Sequence, residues 1–289
     1  MPDESELDKK NQSRRLEKRL NERFVKAMAT YRLIEDDDKI LVGLSGGKDS
    51  LLLTELLAKR ARIQHPRFSI EAIHVRMENI RYETDTSYLE QFCADLGIRL
   101  HIVTTRFDTA ASALSDASSA TVPVSDVSSA TVQYTAQDAQ SAAHSPASIL
   151  RRQKQPCFLC SWNRRKQLFN LAQAIGCNKI ALGHHQDDII HTALLNLTFQ
   201  AHFATMPVRL KLRKMPLTII RPLCLITEAD IKAYAAIKGY QKQQKLCPYE
   251  TASHRTDVKA IFQQLEQLNP EARYNIWNAL EADNKLIEE

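Results

Sequence analysis

Twelve residues constrain this chain more than any others: Lys39-Ile40-Leu41-Val42-Gly43-Leu44-Ser45-Gly46-Gly47-Lys48-Asp49-Ser50. The first part is a buried-strand pattern, and Leu51, Leu52 and Leu53 begin a helical run directly after it. The chain holds seven glycines, and Gly43, Gly46 and Gly47 all fall in this turn, so bare backbone is concentrated here. The first N–H groups of a helix have no intrahelical partner, and the helix dipole adds positive potential at the same end. Together they make an anion site. Lys48 adds a cation. Asp49 adds a carboxylate suited to magnesium, an ion that takes oxygen ligands and shares them with phosphates. The plain alternative is a tight turn without a ligand; the length of Ser-Gly-Gly-Lys-Asp-Ser and its place between strand and helix argue against it. The Walker A loop is excluded, because three residues rather than four separate Gly43 from Gly47, and Asp49 stands where Ser or Thr is required.

Further strand patterns cover Phe68–Val75, Ile98–Val103, Asn178–Gly183 and Leu217–Leu223, with helical patterns between them. Strands alternating with helices imply right-handed crossovers and a parallel sheet covered on both faces. The expected class is therefore α/β, a Rossmann-like parallel sheet with helical extensions at both ends. Residues 1–35 form a basic helix, with Leu16, Leu20, Phe24 and Ala27 on one face. Arg14, Arg15, Lys18, Arg19 and Arg23 lie on the other, either a solvated face or a contact to RNA phosphate. Residues 36–240 form the central domain, and residues 241–289 hold the Cys247 turn and two closing helices. The central domain is interrupted at 107–150, a stretch without Lys, Arg or Gly that contains a tandem decapeptide beginning at Ser115 and Ser125. Two copies are too few for a solenoid, and a loosely ordered insertion or a small hairpin is expected.

The strand pattern ending at Gly183 leads into His184-His185-Gln186-Asp187-Asp188. In an open parallel sheet ligands sit at the carboxyl ends of strands, so this segment and the glycine loop are expected to converge. The paired carboxylates fit magnesium or water positioning, with helix N-capping as the alternative. Six cysteines in 289 residues are too sparse for a disulfide scaffold. Cys157-x-x-Cys160 is open to zinc, redox or iron–sulfur use. Cys93, Cys177 and Cys224 fall in apolar segments and read as small core residues, whereas Cys247 lies in a turn beside Pro248. The formal net charge of +5 permits a nucleic-acid partner without requiring one. No apolar run is long enough to span a membrane, and Met1–Arg15 lacks a signal-peptide core; the cytoplasm is the expected location.

The glycine loop resembles the SGGxDS signature of the PP-loop ATP pyrophosphatases, which activate a carbonyl-type oxygen by adenylation. Several further motifs follow it in order: Cys157-x-x-Cys160 with Arg164-Arg165, Gly183-His184-His185-x-Asp187-Asp188, Met206-Pro207, Ile220-Arg221-Pro222-Leu223 and Cys247. The set resembles the tRNA 2-thiocytidine synthetase family from about Arg14 to Trp277, outside the insertion. The resemblance implies an ATP-dependent tRNA thiolase acting on cytidine at position 32, releasing AMP and pyrophosphate. It implies ATP on Ser45, Gly46, Gly47, Lys48, Asp49 and Ser50, with Gly183 and His184 beside it. Lys48, Asp49 and Asp188 would be catalytic, the two aspartates near Mg2+. A [4Fe–4S] cluster would be held by Cys157, Cys160 and Cys247, leaving one iron open. The implied partners are tRNA, a sulfur donor such as a cysteine desulfurase, and a second copy of the chain in a homodimer. RNA contacts are expected from Arg164, Arg165, Lys166, Arg209 and Lys211, with Arg151, Arg152 and Lys154 also flanking the cysteines. Two features depart from the family pattern: the insertion, and Glu250, which stands where family members carry a further cysteine. Two other readings remain: a PP-loop ligase of the lysidine-forming type, which needs no cluster, and a zinc-stapled ATP-binding module without catalysis.

Overall fold

The computed structural model describes residues 4–107, 156–247 and 254–289. Most of the 107–150 insertion, Glu250, and Arg151, Arg152 and Lys154 lie outside the described residues. Phe107, at the start of the expected insertion, is buried and accepts a hydrogen bond from Asn79 through its carbonyl (2.7 Å).

The strands are β1 (Lys39–Gly43), β2 (Ser69–Met77), β3 (Arg81–Tyr82), β4 (Arg99–Thr105), β5 (Lys179–Ala181), β6 (Arg209–Lys211), β7 (Thr218–Ile220), β8 (Lys245–Leu246) and β9 (Ile287–Glu288). The helices are α1 (Glu4–Thr30), α2 (Lys48–Ala61), α3 (Ser87–Leu96), α4 (Pro156–Ala174), α5 (Gln186–Gln200), α6 (Glu228–Lys238), α7 (His254–Leu268) and α8 (Ala272–Ala282). Seven strands form one sheet in the order β4-β2-β1-β5-β7-β6-β9. Strands β4, β2, β1, β5 and β7 are parallel, as expected; β6 runs antiparallel to β7, and β9 pairs with β6. Strand β1 therefore lies inside the sheet, with β2 on one side and β5 on the other.

The alternation of β1 decides the layering. Ile40, Leu41 and Val42 are all fully buried, but Ile40 and Val42 face one apolar cluster and Leu41 the other. Successive side chains of a strand point to opposite faces, so an unbroken apolar run is the mark of a strand covered twice. The Ile40 face is shared with Leu20 and Phe24 of α1, Leu52 and Leu56 of α2, Tyr234 of α6, and Phe262 and Trp277 of α7 and α8. The Leu41 face is shared with Ile73, Val75 and Met77 of β2 and with Leu168 and Ala172 of α4. Each large side chain buried this way contributes roughly 1.5–3 kcal/mol relative to exposure.

Some elements differ from the sequence expectation. The helical pattern from Tyr82 to Leu96 is helical only from Ser87, because Arg81 and Tyr82 pair with Leu246 and Lys245 in a separate ribbon. Thr86 precedes the helix, Gly97 ends it in the left-handed region (φ +71°), and Asp85 accepts the Ser87 N–H (3.0 Å). Arg209–Lys211, expected as part of a basic run, is strand β6.

One buried ion pair joins the starts of β1 and β5. Lys179 Nζ lies 2.7 Å from Asp38 Oδ2 and donates to the Leu33 carbonyl (3.0 Å); both charged residues are more than nine-tenths buried. Asp38 also accepts from the Glu35 N–H (2.6 Å) and from Asn178 Nδ2 (2.7 Å). Removing one member of such a pair strands the other without its counter-charge. Lys179→Met should lower the unfolding free energy by roughly 3–5 kcal/mol, read from the midpoint of urea denaturation. An unchanged midpoint would show that the pair does not stabilise this corner of the sheet.

Candidate active site

Strands β1 and β5 are neighbours, but the chain leaves them in opposite directions, toward β2 and toward β7. The crevice where connections diverge is the binding position of open α/β sheets. Both segments singled out in the sequence, residues 45–50 and 183–188, lie there. They touch through their backbones: a Cβ on Gly183 would stand 3.1 Å from the Asp49 carbonyl carbon and 3.1 Å from the Ser50 nitrogen. Gly46 takes φ +81°, and a Cβ there would meet Gln243 at 2.6 Å. The Gln243 N–H donates to the Gly46 carbonyl (2.9 Å), so the segment after α6 closes the loop from its other side.

Within the loop, Ser50 Oγ donates to the Gly47 carbonyl (2.9 Å), and Ser45 Oγ lies 3.1 Å from Ser50 Oγ. Gly47 is the N-cap of α2 and offers no side-chain cap, which leaves the helix N-terminus suited to an external anion. Lys48 Nζ rests on the Asp49 carboxylate at 2.9 and 3.1 Å.

The acidic pair divides its work. Asp187 is buried: its Oδ1 accepts from Arg273 Nη2 (2.8 Å) and its Oδ2 from the Glu228 N–H (2.7 Å). Burial alone would raise its pKa; the Arg273 bond and the Glu228 N–H outweigh burial and hold it below the usual carboxylate range. Asp187 thus ties α5 to α6 and α8. Asp188 caps its own helix, its Oδ2 accepting the His185 N–H (3.1 Å), which is the N-capping alternative. The His185 ring joins the two segments: Nε2 is 3.8 Å from Asp49 Oδ1 and 3.5 Å from Asp188 Oδ2. Asp49 and Asp188 therefore flank one imidazole nitrogen. His184 Nδ1 accepts from Arg221 Nε (3.2 Å), and Arg221 also donates to the Pro207 carbonyl, which joins the Met206-Pro207 and Arg221-Pro222 segments. Burial pulls the Arg221 guanidinium down to about 10, opposed by the charge of Asp188.

A cavity of about 310 Å3 opens beside these residues, lined among others by His184, His185, Asp188, His191, Glu228 and Lys259. Glu228 and Lys259 were not candidates from the sequence, since Glu228 reads as a first-turn helix acid and Lys259 as one charge on an amphipathic helix. His74 was also missed. It is 2% exposed on β2, and its Nδ1 lies 2.7 Å from the Leu44 carbonyl, which makes Nδ1 the protonated nitrogen. Burial lowers its pKa, the Leu44 bond opposes this, and the charges of Arg164 and Arg76 lower it further.

The cysteines separate into two groups. Cys93, Cys177 and Cys224 are buried, and burial pushes the first two thiols up to about 11 and that of Cys224 upward as well. Protonated, enclosed thiols are poor metal ligands. Cys157 is exposed in the first turn of α4, while Cys160 and Cys247 are half-buried against one apolar cluster that includes Tyr82. Tyr82 organises this end: its backbone pairs with Lys245, two residues before Cys247, and its hydroxyl lies 3.4 Å from Arg164 Nη2 of α4. Among the described residues no three His, Cys, Asp or Glu side chains converge closely enough to hold a metal ion. Cys160 and Cys247 share that apolar cluster, and thiolates are the ligands that iron–sulfur clusters take.

The basic candidates are partly engaged. Arg165 bonds the Ser161 carbonyl (3.2 Å) and hydroxyl (3.3 Å), and burial lowers its pKa. Lys166 Nζ lies 5.3 Å from the centre of the Trp162 ring. Arg209 is drawn to Glu289 (2.5 Å) and the Arg32 carbonyl (3.4 Å), while Lys211 is exposed. On α1, Arg19 and Arg23 pair with Asp230 of α6 at 2.5 and 3.1 Å, so two residues of its basic face are committed to packing.

A glycine loop at the switch point of a mostly parallel sheet, facing a His-His-x-Asp-Asp segment, is the arrangement of a PP-loop nucleotide-binding protein, and residues 12–121 match the PP-loop domain family. The chain belongs to the tRNA-cytidine(32) 2-sulfurtransferase family. It is 30% identical to the member from Bordetella avium (strain 197N) over 267 residues, 92% of this chain and 73% of that one. It is also 30% identical to the member from Pseudomonas syringae pv. tomato over 282 residues, 95% and 89% of the two chains. A similar solved structure is the U34-tRNA thiolase NcsA from Methanococcus maripaludis with its [4Fe-4S] cluster. It has TM-score 0.61 and 25% identity, and the match covers 90% of this chain and 77% of that one.

The Gly183 contact is a direct test of the site. A methyl group there meets backbone rather than a movable side chain, so Gly183→Ala should displace Asp49 and Ser50. Nucleotide affinity should fall by about tenfold or more, a loss of roughly 1.4 kcal/mol, in equilibrium binding of an ATP analogue. Unchanged affinity would show that the two segments do not depend on each other.

Proposed function

We propose that this protein is an ATP-dependent tRNA-cytidine 2-sulfurtransferase that converts a cytidine, at position 32 by analogy with its relatives, to 2-thiocytidine. The observation that carries this reading is the meeting of Asp49 and Asp188 at His185, beneath a glycine loop that offers an uncapped helix N-terminus. ATP is the anion for that terminus. The C2 oxygen of an unstacked cytidine attacks the α-phosphorus, the bond to the β-phosphate oxygen breaks, and pyrophosphate leaves with the electron pair. Sulfide then forms a bond to C2, the C2–oxygen bond breaks, and AMP departs. Lys48 and the α2 N-terminus stabilise charge developing on the phosphates, and Asp49 and Asp188 are the carboxylates that would hold Mg2+. His185, between them, keeps the two carboxylates in register.

Cys157, Cys160 and Cys247 would hold the [4Fe–4S] cluster, which when bound supplies a site that carries sulfur to C2. Reaching C2 requires an unstacked base, so a single-stranded anticodon loop is the accessible substrate. Arg164 and Lys166, on the helix that begins with the cysteines, and Lys211 would meet RNA phosphates. We further propose a homodimer in the cytoplasm, fed with sulfur by a donor such as a cysteine desulfurase.

The deciding experiment is nucleoside mass spectrometry of tRNA incubated with the anaerobically purified protein, ATP, lysine and a sulfide source. 2-Thiocytidine is expected; lysidine, or no product, would overturn the reading. Asp49→Ala should abolish product while leaving the brown cluster absorbance in place, because the carboxylate serves the phosphates and not the iron. Cys157→Ser, Cys160→Ser and Cys247→Ser should each lose absorbance and product. Cys93→Ala should retain both at a stability cost of about 1 kcal/mol. One zinc per chain without iron, by metal analysis, would favour a zinc-stapled binding module instead.

A further inference from the structure

Three cations converge on one carboxylate that the chemistry above does not use. Glu228 opens α6, and its backbone N–H is held by Asp187. Its side chain is met by Lys48 Nζ of the glycine loop at 3.7 Å, by Lys232 Nζ one turn along α6 at 3.1 Å, and by Lys259 Nζ of α7 at 2.5 Å. Its side chain is 20% exposed, so this is not a fully solvated surface pair. Burial alone would raise the Glu228 pKa, yet the bonds from Lys259 and Lys232 hold it down at about 2. Lys48 also rests on the Asp49 carboxylate, so two carboxylates face three ammonium groups and the cluster keeps an excess of positive charge. Glu228 and Lys259 both line the 310 Å3 cavity that also borders His184, His185 and Asp188. Lys48 links that cluster to the loop that takes the phosphates.

We propose that this cavity is the seat of the leaving pyrophosphate, that Lys259 is a further pyrophosphate-binding residue, and that the Glu228 carboxylate is the counter-ion which pyrophosphate displaces. The proposal rests on the reading of the glycine loop as an ATP pyrophosphatase site. A diphosphate carries more negative charge than a carboxylate and presents more acceptor oxygens, so it satisfies three ammonium groups better than Glu228 does. Glu228 remains covalently in place and competes for the same lysines. That competition weakens retention, so the lysines stabilise the departing group without trapping it. Lys259 lies far along the chain from the glycine loop, on α7, so the C-terminal helices complete the phosphate site rather than merely covering the sheet.

The test is calorimetric titration of the full chain with magnesium pyrophosphate, and separately with AMP. The wild-type protein should bind pyrophosphate. Lys259→Ala should weaken pyrophosphate by about tenfold and leave AMP unchanged. Glu228→Gln, which keeps the shape and removes the competing charge, should bind pyrophosphate about threefold or more tighter. Equal pyrophosphate affinity in Lys259→Ala and wild type would overturn the proposal while leaving the loop assignment standing, as would weaker binding in a Glu228→Gln variant of unchanged melting temperature. Equal weakening of AMP and pyrophosphate in Lys259→Ala would mean a general distortion, and would also overturn it. Absence of pyrophosphate binding in the wild type would overturn the loop assignment and this proposal together. Lys259 is partly exposed on α7, so its variant decides the matter even where Glu228→Gln does not fold.

Discussion

The site depends on a backbone-to-backbone contact. Gly183 lies so close to Asp49 and Ser50 that a single methyl group would come within 3.1 Å of main-chain atoms. That approach lets the residues after β5 and the residues after β1 work as one unit. It exists because β1 and β5 pair directly, with Leu41 opposite Ile180 and Val42 opposite Ala181. Main-chain atoms cannot swing away as a lysine tip can, so the spacing between Asp49 and Asp188 is inherited from the sheet register. The buried Lys179–Asp38 pair anchors the opposite ends of the same two strands. The two strands are thus braced at both ends.

Around this unit the charged side chains divide into those that hold helices and those that face the crevice. Asp187 accepts from Arg273 and from the start of α6, and Arg273 also binds Glu266 on α7 (2.8 Å). Asp188, its neighbour in sequence, accepts the His185 N–H and lies 3.5 Å from the His185 ring instead. Neighbouring residues on a helix point about 100° apart, so adjacent carboxylates readily serve different structures. The buried ion pairs at Asp187 make the C-terminal helices part of the wall of the site. They also bring Lys259 to Glu228 and, through Glu228, to Lys48.

The cysteine end is organised by a different device. The short β3–β8 ribbon joins Tyr82 to the segment before Cys247, while Arg164 reaches the Tyr82 hydroxyl from α4. His74 connects this end to the glycine loop through the Leu44 carbonyl. The same strand, β2, thus contacts the glycine loop and leads into the β3–β8 ribbon. Neither His74 nor Tyr82 stands out in the sequence. One is a polar residue within an apolar strand, and the other sits at the start of a helical pattern that begins later than its periodicity suggests.

What the sequence determined by itself was local and periodic. The unbroken apolar run of β1, the three glycines after it and the leucines of α2 dictate strand, turn and helix, because backbone sterics and alternating burial act over a few residues. The same reasoning separated buried Cys93, Cys177 and Cys224 from Cys157, Cys160 and Cys247. It also set Gly183–Asp188 at a strand end, and so opposite the loop. The family pattern singles out Asp188 of the two adjacent aspartates; only the tertiary structure shows what occupies the other, binding Asp187 to Arg273 and to the start of α6. It alone turned Arg209–Lys211 into a strand between β7 and β9, and paired Arg19 and Arg23 with Asp230. It alone gathered Lys48, Lys232 and Lys259 at Glu228. Those outcomes come from contacts between segments far apart in the chain, and a charge carries no mark in the sequence of the partner that folding will bring to it.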